Sequence, residues 1–99
     1  MTENRHTLEE LHRETARIQW QELEVHFARG VVIRVAAELD LVEVATCFAN
    51  DDRAAVEEWL GSGQVGHLDV ELAQDWNRRN PELWGVVVAP WVMVQERTV

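Results

Sequence analysis

The sequence predicts an α+β fold: a single small domain in which four to five short helices pack on a small sheet of two to three strands. Three observations lead there. The 99 residues are 46% hydrophobic, enough for one core and too few for two domains. Acidic and hydroxyl residues precede amphipathic runs at the spacing of helix caps. Two runs, "VVIRV" and "LWGVVVAPWVMVQE", gather β-branched and aromatic residues as strands do.

Thr7 and Glu10 have capping-box spacing, and Leu8, Leu11, Thr15 and Ile18 then fall on one helical stripe. A second stripe, Trp20, Leu23 and Phe27, lies about 200° from Ile18 on a straight helix. A break is therefore expected near Gln19. The second helix should end at Gly30, which can adopt the left-handed C′ conformation, with Arg29 at the negative end of the dipole. Residues 31–35 form a short strand with Arg34 as their one polar position.

Asp40 and Glu43 open a third helix, and Leu39, Leu41, Val42, Val44, Ala45, Cys47 and Phe48 surround its narrow polar stripe. This should be the most buried helix. A fourth spans about 52–60, with Ala55, Val56, Trp59 and Leu60 inward and Gly61 and Gly63 as its stop. After the loop "GSGQVGHLD", Asp69 caps a helix through Leu72, Ala73 and Trp76 that ends before Pro81. The loop lacks the lysine and spacing of a phosphate-binding loop.

The run at 83–95 does not alternate, so both its faces should be covered by helices or by another chain. Pro90 cannot donate to a ladder and fits the positive φ of a primed hairpin turn badly. One long bent strand is expected rather than a hairpin. Two strands alone are marginal in water, so a short strand at 64–68 or the same strand of a second subunit should complete the sheet.

Eighteen acidic residues against nine basic ones give a formal charge of −9, which repels phosphate backbones and anionic bilayers. No nucleic-acid partner is expected. The field is strongest at 31–60, where seven carboxylates meet two arginines. Every basic residue is Arg, and this carries no functional argument. The polar N-terminus lacks a signal peptide's apolar run, and the single Cys47 cannot form an intramolecular disulfide. A cytoplasmic location follows. The charge-free run at 83–94 is too short to span a bilayer, which needs about 20 residues. The domain is expected to cover 1–99, with 1–6 disordered and 97–99 frayed.

The segments "FARGVVIRV", "ELDLVEVA", "DDRAAVEEWL" and "PELWGVVVAPWVMVQE", in that order, resemble a family of short bacterial proteins known as domain of unknown function 2288. The resemblance runs from about Ile18 to Glu96. It implies a stand-alone small domain and brings no activity, cofactor or catalytic residue.

Several side-chain groups invite chemistry. Asp40, Glu43, Asp51 and Asp52 stand at two helix starts, where they could hold a hard divalent cation or simply cap the helices. Glu9 and His12 form one i, i+3 pair of the di-iron type, which needs two such pairs. His6 and His26 add no metal-ligand spacing. His67 and Asp69 flank the glycine loop near Ser62, an arrangement that would suit a base and its orienting carboxylate, or an ordinary helix-entry loop with Asp69 as its cap. Cys47 lies on an apolar helix face, where a thiol behaves as a small hydrophobe.

No catalytic set and no cofactor emerge. The leading expectation is a non-enzymatic interaction module, homodimeric through the C-terminal strand by way of Trp84, Val86, Val88, Pro90, Trp91 and Met93, with another protein as a further partner. The rival is a small ligand-binding or divalent-cation-binding protein or enzyme using the acidic helix starts with His67.

Overall fold

The computed structural model describes residues 11 and 13–97. Along them run β1 (Ala16–Ile18), α1 (Trp20–Ala28), β2 (Val32–Val35), α2 (Leu41–Ala49), α3 (Arg53–Ser62), β3 (Val65–His67), α4 (Val70–Arg79), β4 (Leu83–Val88) and β5 (Trp91–Glu96). The strands make one sheet in the order β1-β4-β5-β2-β3. β5 runs parallel to β2, and the other pairings are antiparallel. The α+β class holds, with five strands among the described residues instead of two to three.

The first departure is at the N-terminal end. Residues 11, 13 and 14 are helical, but Ile18 belongs to a strand and not to the helix. The Thr15 hydroxyl donates to the Leu11 carbonyl at 2.7 Å, and the chain then extends so that Ile18 pairs with Leu83. Ile18 approaches closely because its diagonal neighbour on β4, the Gly85 that pairs with Ala16, has no side chain: a Cβ there would stand 3.3 Å from Ile18 Cγ2. The Thr7 cap, Leu8, the Glu9–His12 pair and His6 lie outside the described residues.

The second departure is the C-terminal run. It is a hairpin, with Val88 opposite Trp91 and Ala89 and Pro90 at the turn, joined by a cis peptide bond. A cis proline belongs at the third position of a type VI turn, which reverses the chain without the positive φ that argued against a hairpin. Arg97 follows the end of β5. Its backbone N–H donates to the Glu82 carbonyl at 3.0 Å, and its guanidinium lies 4.7 Å above the Trp84 ring.

The remaining elements form where local chemistry places them. Asp40 Oδ1 accepts from the amides of Val42 and Glu43. Asp52 and Asp69 accept from Ala55 and Leu72. Gly30 follows α1 at φ +75° and Gly63 ends α3 at φ +80°, so Gly63 rather than Gly61 stops that helix. Asn80 ends α4 at φ 50°, a left-handed conformation that Asn tolerates better than most residues.

Alternation along the strands divides the core in two. On one face Ile33, Val35, Val86 and Met93 pack with Leu41, Val42, Val44 and Ala45 of α2, and Trp59 of α3 leans against them. On the other, Val32, Leu83, Val92 and Val94 pack with Trp20 and Leu23 of α1 and Ala73 and Trp76 of α4. Helices on both faces explain why the C-terminal run lacks a polar face. Each fully buried aliphatic side chain contributes roughly 1.5–3 kcal/mol. As expected, α2 is the most buried helix, while α3 has no fully buried residue and leaves Leu60 48% exposed.

Candidate functional site

The acidic helix starts do not converge. α2 is nine residues long, roughly 13 Å at the helical rise, and separates Asp40 and Glu43 at its start from Asp51 and Asp52 beyond its end. Asp40 and Asp52 are engaged as caps, and Asp51 lies 3.7 Å from the Arg53 guanidinium. Among the described residues no group of three or more His, Cys, Asp or Glu side chains could hold a metal ion.

Cys47, half-buried in α2, faces Asp52. Burial first, then the charges of Asp52 and Glu43, push its thiol above the ordinary value. That disfavours the thiolate a nucleophile needs. His67 is exposed on β3 and meets Trp91 edge to face, with ring centroids 5.5 Å apart. Asp69 is committed to capping α4. The Ser62 hydroxyl lies 3.1 Å from the Trp59 carbonyl and 3.0 Å from Gln64 Oε1, within the end of α3. No hydrogen bond joins Ser62, His67 and Asp69.

The C-terminal strand is not an edge. β5 is flanked by β4 and β2, so its backbone cannot pair with a second copy. Val86 and Met93 are 2% and 0% exposed and belong to the core. Trp84 is half-buried, its indole N–H donating to Glu82 Oε2 at 2.8 Å. What remains exposed is the hairpin tip. Val88 and Trp91 are half-buried on one face, Pro90 is exposed at the turn, and Val87 on the opposite face is 61% exposed.

Sequence reasoning missed a second place altogether. A cleft of about 200 Å³ opens at the C-terminal ends of the parallel strands β2 and β5, lined by Arg34, Val35, Ala36, Ala37, Leu72, Trp76 and Glu96. Its wall is held by Gln95, a buried polar residue whose Nε2 donates to the carbonyls of Ala36 at 2.9 Å and Leu39 at 2.6 Å. Its acidic rim is fully engaged. Glu96 accepts from Trp76 Nε1 at 3.0 Å and from both terminal nitrogens of Arg79. The hydrogen bonds from Arg79 hold the Glu96 carboxyl below its ordinary value, against the opposing effect of burial. Arg79 also bonds Asp75, lowering that carboxyl too, and its own guanidinium is pushed up. Arg34 differs: its Nη2 donates to the Gly63 carbonyl at 2.9 Å, and among the described residues it has no carboxylate partner.

A mixed five-stranded sheet covered by helices on both faces defines a class of small α+β domain that prescribes no reaction. The chain belongs to the family described as "Protein of unknown function (DUF2288)", whose model matches residues 6–96. It is similar to PA1075 from Pseudomonas aeruginosa, known from an NMR solution structure: 50% identity, TM-score 0.83, covering 100% of this chain and 93% of that one. No curated protein matches.

Proposed function

We propose that the protein is a small non-enzymatic interaction module that pairs with a second copy of itself through the β4–β5 hairpin tip. The observation that carries this reading is apolar surface left at a chain reversal: Val87 at 61% exposure on one face, the exposed Pro90 at the turn, and on the other face a half-buried Trp91 that meets His67 edge to face. Tryptophan at a partly covered, well-supported position is the residue type that most often anchors interfaces. Two tips facing each other about a two-fold axis would bury like against like. The patch is small against the roughly 800 Å² per partner of a standard interface, so the dimer should be weak and concentration-dependent.

The acidic-cluster reading has less support, since two of its four carboxylates are caps and they flank a whole helix. Sedimentation velocity across a concentration series, with native mass spectrometry beside it, tests the proposal. Wild type should approach twice 11.4 kDa at tens of micromolar, and Val87→Glu, at an exposed site, should stay monomeric with an unchanged thermal melt. A wild type that remains monomeric throughout the series overturns the reading.

A further inference from the structure

We propose that the cleft at the ends of β2 and β5 is a binding site for a small monocarboxylate, held by the Arg34 guanidinium and seated on Leu72 and Trp76. The cleft lies beyond the carboxyl ends of the parallel strand pair, where helix-covered sheets leave a crevice. About 200 Å³ is below the roughly 300 Å³ at which drug-sized pockets begin, so the ligand is a small molecule with a short apolar body. Ala36, Ala37, Leu72 and Trp76 give that body an apolar wall.

The charges select the head group. Glu96 stands on the rim, yet its oxygens accept from Arg79 and from the Trp76 indole, so its charge is answered within the protein. Arg34 has spent one N–H on a neutral carbonyl. A guanidinium carries five donors in a planar fork that matches a carboxylate. Among the described residues Arg34 has no acid partner, although the chain contains eighteen acidic residues. A single cation in a field of −9 suits a monoanion better than a phosphate dianion, whose second charge would meet repulsion without a second cation to offset it.

The test is titration of the full-length protein with straight-chain carboxylates from acetate to octanoate and with phenylacetate, read by two-dimensional amide and indole NMR. At millimolar concentration at least one acid should saturably shift Arg34, Ala36, Ala37 and the Trp76 indole N–H, and the matching primary amide should not. Arg34→Gln should weaken that acid about tenfold or more, and Arg34→Lys, which keeps the charge without the fork, should fall between. If the glutamine variant loses its native spectrum, the lysine variant and the amide control decide. Absence of cleft shifts with every acid, equal shifts with the amide, or binding indifferent to both substitutions would overturn the proposal. None of these outcomes depends on self-association at the hairpin tip.

Discussion

Glu96 shows at the scale of one residue how a carboxylate can serve structure in an acidic chain. Its folded value is depressed, so its pairing with Arg79 stabilises the fold fully above the unfolded value near 4.5, and that contribution is lost as pH falls through the lower folded value. Below about pH 4.5, wild type should therefore lose stability more steeply than Glu96→Gln in urea denaturation followed by fluorescence. Asp40→Ala removes the acceptor for two amides and should cost about 1 kcal/mol by the same assay. Gln95→Leu leaves the carbonyls of Ala36 and Leu39 without their donor and should cost roughly 1–3 kcal/mol. The caps were legible in the sequence because a cap and its amides lie within three residues. Gln95, Glu96 and Arg34 were not, because their partners lie 17 to 59 residues away and only the folded topology brings them near.

Among the elements, α2, α3, α4 and β2 could be read from caps, glycines and β-branched runs close to their observed limits, while β3 was one of two ways the sheet could be completed. β1 could not. Residues 16–18 fit a helical stripe, and nothing local reveals that an extended segment is wanted until β4 offers it an edge and Gly85 leaves room for Ile18. The hairpin was hidden by a sound rule applied to the wrong turn: primed turns exclude proline, type VI turns require it. Gly85→Val places a Cβ only 3.3 Å from Ile18 Cγ2, with two further methyls to seat, and should destabilise the protein by roughly 1–3 kcal/mol. Amide hydrogen exchange should show the largest loss of protection at residues 16–18 and along β4, with α2 and α3 little changed.

At the scale of the molecule, helices cover both faces of the sheet, β1 and β3 form its edges, and no described helix is long and apolar enough to cross a membrane. The exposed apolar surface left by this arrangement is dispersed except at the hairpin tip, which is why the proposed self-association is assigned there and not to a strand edge. The strand order carries one more consequence, for biosynthesis. β5 comes last of the five strands in sequence yet lies at the centre, and it is the strand that joins the pair β1–β4 to the pair β2–β3. A nascent chain that has emerged as far as Pro90 holds two separate strand pairs, each marginal in water, with Val32, Ile33 and Val86 still lacking their central neighbours. Closure of the sheet must then wait until residues 91–96 are available, so the last strand in sequence is the one that completes the fold.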